Sequence, residues 1–135
     1  MRILIATDAW TPQINGVVRT LSELRAASQA QGAILSFLTP EAFPTLPLPT
    51  YRDIRLALPL PGVIERHIRS VEPHAIHIAT EGPIGLLVRR YCGKHRLAFT
   101  TSFHTRFPDY ISARLPIPES WVWAWLRWFH CGGHA

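Results

Sequence analysis

Cysteine is scarce in this chain. Cys92 and Cys131 are its two thiols in 135 residues, and they form no C-x2-C pair and no regular framework. A disulfide-stapled fold is therefore not expected, and the interior of a reducing cytoplasm is the default compartment. Lysine is scarcer still: Lys94 stands beside thirteen arginines and faces nine carboxylates. The resulting net charge of +5 favours anionic partners such as nucleotide phosphates or an anionic lipid surface. Nucleic acid is not expected, because the arginines make no basic stripe, RNP motif or helix-turn-helix. No G-x-G-x-x-G, G-x4-G-K-[ST] or G-x-S-x-G occurs, which removes the dinucleotide, P-loop and nucleophile-elbow readings. His74 with His77, and His130-Cys131 with His134, are fragments of metal spacing without a full ligand set, so no metal is expected. No window approaches the roughly twenty apolar residues of a spanning helix, and the N-terminus lacks the regions of a signal peptide. The expectation is a soluble or peripheral protein.

What is present is a strand, a turn and a helix in immediate succession, Arg2 to Leu24. Ile3 to Ala6 is a short apolar run of the kind found in a parallel strand covered on both faces. Thr7 and Asp8 end it, Pro12 is incompatible with an interior strand, and Asn15-Gly16 tolerates the positive φ of a tight turn. Val17, Val18, Leu21, Leu24 and Ala27 then recur at helical spacing, with Gly32 as the C-cap signal. Ala33 to Leu38 predicts a second strand. Six prolines between Thr39 and Pro61 exclude a long helix and leave a surface loop with one brief edge strand at Ile54 to Ala57. Val63, Ile64, Ile68 and Val71 predict a helix with Glu65, Arg66 and Arg69 on its other face. Ala75 to Ala79 predicts a strand, Pro83 to about Cys92 a helix, and Leu97 to Ser102 a strand. The fold class is therefore α/β, a Rossmann-like open parallel sheet with helices on both faces, in one domain over residues 1–129 followed by a tail, 130–135. The last helix, Glu119 to Phe129, sets Trp121, Trp125, Trp128 and Phe129 on one face, for core or interdomain packing or for a membrane interface.

Open parallel sheets bind ligands outside the carboxyl ends of their strands, near the point where strand order reverses. That rule selects Asp8 to Gly16, Thr80 to Gly82 and Phe103 to Tyr110. Gly16 either closes a tight turn or lets an anion or sugar hydroxyl approach the first helix. His104, beside Thr105 and Arg106, is either a solvated strand-end residue or a group that bonds a sugar hydroxyl or moves a proton. Glu81 either contacts substrate or supplies the acid that favours the N-terminus of the next helix.

A strand at the extreme N-terminus followed by D-x3-P-x2-N-G-V-x-R resembles the opening of the GT-B glycosyltransferases of family 4, which include phosphatidylinositol mannosyltransferases and the sulfoquinovosyl and glucosyl glycolipid transferases. Phe103, His104 and Thr105 match the family's F-H-T residue for residue. His77 to Pro83 resembles its H-x-H-E-P segment, with an extra residue before Glu81 and Gly82 intruding. The resemblance implies the first, acceptor-side domain of a retaining transferase that uses a nucleotide-sugar as substrate and needs no cofactor or metal; the absence of D-x-D agrees. It implies donor or substrate contacts at Asn15, Gly16, Glu81, Thr105 and Arg106, a catalytic role for His104 against the transferred sugar, and a lipid acceptor. Arg66 and Arg69 become the membrane-facing or acceptor-facing residues of a protein peripheral to the inner face of the membrane. None of the six glutamates forms the family's E-x7-E. The expectation is thus an N-terminal fragment, inactive alone, whose donor-nucleotide domain is absent or separately encoded. The alternative is a non-catalytic α/β module that binds an anionic ligand or a membrane surface.

Overall fold

The computed structural model describes residues 1–11, 16–47, 55–104 and 115–132. Four strands form one parallel sheet in the order β2-β1-β5-β6: β1 (Arg2–Ala6), β2 (Ile34–Leu38), β5 (Ala75–Ile78) and β6 (Thr100–Thr101). From β1 the chain moves first to β2 on one side and later to β5 on the other, so strand order reverses beside β1. The helices are α1 (Gly16–Ala30), α2 (Pro61–Val71), α3 (Pro83–His95) and α4 (Glu119–Cys131).

The alternation of β1 decides how both faces are covered. Ile5 packs with Leu21 of α1 and with Ala79, and Ile3, Val17, Leu35 and Phe37 complete that layer. Leu4 and Ala6 face the other way, into a core with Ile64 and Ile68 of α2, Ile84 and Val88 of α3, and Phe129 of α4. Burying each such side chain stabilises the fold by about 1.5–3 kcal/mol, so the two layers hold the helices in place. Cys92 lies in the second core, where burial pushes its thiol up to about 11 and keeps it unreactive.

Helix ends are closed by groups distant in sequence. Arg2 Nε donates to the carbonyls of Val71 and Glu72 at 3.1 and 2.9 Å, satisfying the last turn of α2. The guanidinium of Arg89 does the same for α4: Nε donates to Phe129 O at 3.0 Å and Nη2 to Trp128 O at 2.8 Å, 3.9 Å from the Trp128 ring. Gly32 takes φ 70 after α1, as its C-cap position requires.

Two features differ from the sequence reading. Thr45–Pro47 (β3) pairs antiparallel with Arg55–Ala57 (β4), so the proline-rich stretch holds a hairpin rather than one lone edge strand; the pairing is non-local and leaves no periodicity. In α4 the buried face is Val122, Leu126 and Phe129, while Trp121 and Trp128 are 69% and 52% exposed. Trp125 lies between, packed on Phe129. Helical spacing set the tryptophans on one face with Phe129, but of that set only Phe129 is fully buried, in the core that holds Val88 and Cys92 of α3. No helix among the described residues is long and apolar enough to cross a membrane.

Candidate functional site

The carboxyl ends of β1, β5 and β6 converge beside the reversal of strand order, and their polar residues are tied together. Immediately after β1, Asp8 reaches across to the start of α3. Its Oδ1 accepts from Ile84 N at 2.8 Å, and its Oδ2 from Gly85 N at 3.3 Å and from Thr80 Oγ1 at 2.9 Å. Asp8 N in turn donates to Thr80 Oγ1 at 2.7 Å. One carboxylate therefore satisfies the orphan donors of α3 and sits at the positive end of its dipole. The acid at this helix start is Asp8, not Glu81. Gly82 is required here, because a Cβ at that position would fall on the Asp8 carboxyl group. The glycine that intrudes into the H-x-H-E-P pattern thus makes room for a carboxylate from β1.

Burial pushes the Asp8 carboxyl above the ordinary carboxylate range, against the opposing pull of its bonds from Ile84, Thr80, Gly85 and Gly82. A raised folded-state pKa means that this group's titration favours the fold fully below the unfolded value of about 4, and that the contribution is lost as pH rises through the folded pKa. Asp8→Asn removes the titration and keeps an acceptor. The stability of the natural chain relative to Asp8→Asn is therefore expected to fall as pH rises from about 3 through the raised pKa, then level off. Urea unfolding of both proteins across that range checks it; a difference that grows with pH would mean that the hydrogen bonds outweigh burial.

Glu81 is 6% exposed and accepts from or pairs with His130 Nε2 at 3.1 Å, while His130 Nδ1 lies 2.8 Å from Thr101 Oγ1. The buried carboxylate thus locks α4 onto the end of β6. Phe103 rests on the same helix, its ring centroid 6.3 Å from Trp123 and 6.0 Å, edge-on, from His130. With Phe103 held on the α4 side, the next residue, His104, is exposed, and its Nε2 lies 2.6 Å from Ser102 Oγ. At the head of α1 a Cβ on Gly16 would meet no heavy atom within 4 Å. Arg66 and Arg69 are not brought here. They lie on the exposed face of α2, whose last turn is closed by Arg2 at the amino end of β1, and Arg69 is paired with Glu65 at 2.7 Å. Asn15, Thr105 and Arg106 lie outside the described residues. His74, half of one metal-like spacing, instead accepts from Arg2 N through Nδ1 at 2.9 Å. Among the described residues no group of three or more His, Cys, Asp and Glu is assembled.

The family model of glycosyltransferase family 4 matches residues 14–135, from just before Gly16 through β6 and His104 to the end of α4. The chain belongs to glycosyltransferase family 4. It is similar to an alpha-monoglucosyldiacylglycerol synthase of Streptococcus pneumoniae (strain ATCC BAA-255 / R6), 25% identical over 124 residues that cover 82% of this chain and 28% of that protein. It is also similar to an alpha-monoglucosyldiacylglycerol synthase of Acholeplasma laidlawii, 28% identical over 125 residues, 82% of this chain and 31% of that protein. The family-4 chain therefore spans less than a third of the length of these two curated relatives. No solved structure matches it.

Sequence reasoning singled out His104 and Glu81 of this family-4 domain; it named Asp8, His77 and His130 only within longer segments or spacings, with no role of their own, and left Ser102 as the end of a strand. Asp8 had a signal, a carboxylate one residue past a buried strand. His130 had none beyond a misleading Cys neighbour, since its partner Glu81 lies 49 positions away.

Proposed function

We propose that this chain is the acceptor-side domain of a retaining, metal-independent glycosyltransferase that moves a sugar from a nucleotide-sugar to a membrane lipid. The observation that carries the reading is the family match running through a strand-end site in which His104 is exposed beside β6. In this reading His104 contacts the transferred sugar, and Gly16 leaves open the approach to the head of α1, where donor phosphates meet unpaired N–H groups. Asn15, Thr105 and Arg106 complete the contacts to donor and substrate. Glu81, buried against His130, acts from behind by fixing the loop that carries His104. The acceptor class follows from the two relatives, both named as synthases of a glucosyl diacylglycerol. Arg66 on the outer face of α2 and the exposed Trp121 and Trp128 supply charge and aromatic surface for docking peripherally on an anionic bilayer.

A two-domain transferase works in the cleft between its halves, so one wall alone cannot hold donor and acceptor within reacting distance. The 135-residue chain by itself is expected to give no measurable transfer. Joined to a donor-nucleotide domain carrying E-x7-E, it is expected to transfer labelled sugar from a nucleotide-sugar to diacylglycerol in anionic vesicles. The first domain of either relative, joined in the same way, serves as the control. Transfer by the control but none by this chain would sink the proposal, and robust transfer by the chain alone would overturn the two-wall account.

A further inference from the structure

β5 and β6 carry a line of polar side chains along the sheet face that they share with α1. Strand register places Ile5, His77 and Thr100 side by side on that face. The apolar layer under α1 is built on β1 and β2, from Ile3, Ile5, Leu35 and Phe37, whereas β5 and β6 offer imidazole and hydroxyl groups. His77 Nδ1 lies 2.8 Å from Thr100 Oγ1, and His77 Nε2 lies 3.1 Å from Ser102 Oγ. Ser102 Oγ is in turn 2.6 Å from His104 Nε2.

A hydroxyl and a neutral imidazole each have one such proton to donate. Two arrangements give each of the three bonds one donor and one acceptor: all donors pointing from Thr100 toward His104, or all pointing back. The distances choose between them. O–H donors make shorter bonds than N–H donors, about 2.7–2.8 Å against about 2.9–3.0 Å. The sequence 2.8, 3.1 and 2.6 Å therefore reads as hydroxyl, ring N–H and hydroxyl donating in turn. Burial, the leading cause, holds the His77 imidazole below its ordinary pKa, in keeping with the neutral middle member that this order requires.

We infer that His77 and Ser102 are positioning residues for His104: they pin its Nε2 edge as a hydrogen-bond acceptor and so present its Nδ1–H outward as the ligand-facing donor. The inference rests on the reading of His104 as a sugar contact for its purpose, but not for its geometry. An outward N–H is suited to a sugar oxygen, an acceptor, and the 2.6 Å bond to Ser102 Oγ holds the ring's other edge.

The test is long-range proton–nitrogen NMR of the histidine rings in the uniformly labelled 135-residue chain, at a pH where the histidines are neutral. The natural chain is expected to show His104 protonated on Nδ1 and His77 on Nε2. Ser102→Ala removes the donor to His104, whose proton should move toward Nε2, while Ser102→Thr keeps a hydroxyl and the original pattern. His77→Phe should shift the His104 nitrogens in the same direction as Ser102→Ala, acting through Ser102. The backbone amide spectrum reports whether each variant is folded, and should His77→Phe fail to fold, the two Ser102 variants decide. A natural chain with His104 protonated on Nε2, or one whose His104 pattern is untouched by Ser102→Ala, overturns the inference. These outcomes do not depend on sugar transfer, so they are separable from failure of the proposed activity.

Discussion

His104→Ala, in the chain joined to a donor-nucleotide domain, is expected to lower turnover by roughly ten- to a thousandfold, about 1.4 to 4 kcal/mol of barrier. The side chain is exposed at the end of β6, and its hydrogen bond to Ser102 closes no core layer. Its removal should therefore leave the fold intact. In the proposed reaction the loss falls on the chemistry because the sugar must be held in one orientation while its bond to the leaving phosphate breaks. A donor fixed before that moment is worth more to the transition state than to the bound ground state. On the proposed reading the joined donor-nucleotide domain holds most of the nucleotide, so nucleotide affinity should change little. Turnover and nucleotide binding measured on the same preparations separate these effects. If His104→Ala keeps full turnover, or loses it together with its circular dichroism signal, the residue is structural and the site is misassigned.

The second large effect is on stability. Gly85→Ala is expected to destabilise the chain by about 3 kcal/mol, lowering the thermal midpoint by roughly 10 °C. A Cβ at Gly85 would run into the backbone carbonyl oxygen of Thr80 and come within 3.0 Å of Ile78 Cγ2. Neither neighbour can yield: Ile78 is fully buried, and Thr80 is held by its two bonds with Asp8. The remaining escape is for α3 to move away, which draws Ile84 N and Gly85 N off the Asp8 carboxylate and leaves buried donors unpaired. Gly93→Ala on the same helix is the control. Nothing lies within 4 Å of its Cβ position, so relief of the glycine penalty should make it neutral or stabilising by up to about 1 kcal/mol. Thermal and urea unfolding of both variants check the contrast. A Gly85→Ala protein as stable as the Gly93→Ala one would show that α3 is not seated on β5 as described.

Most of the elements of this domain could be read along the chain because their signals are local. The run Ile3 to Ala6, the stripe begun by Val17, Val18 and Leu21, and the helix start at Pro83 are each decided by neighbours within one or two turns and stand where that pattern put them, though Leu24 and Ala27 of the same stripe are exposed. Alternation of helix and strand likewise required a parallel sheet, and hence a ligand edge at its carboxyl ends. What the chain order could not express is pairing across distance. That Thr45–Pro47 pairs with Arg55–Ala57, that Asp8 rather than Glu81 serves the head of α3, and that Glu81 turns instead to His130 all depend on groups brought together only when the layers pack. The face of α4 was decided the same way: spacing grouped Trp121, Trp125 and Trp128 with Phe129, and packing buried Phe129 with Val122 and Leu126 instead. His104 was legible as a residue, since a polar group after a strand is a local signal. Its orientation was not, because Ser102 and His77 are aligned by the register of β5 with β6, a property of the folded sheet.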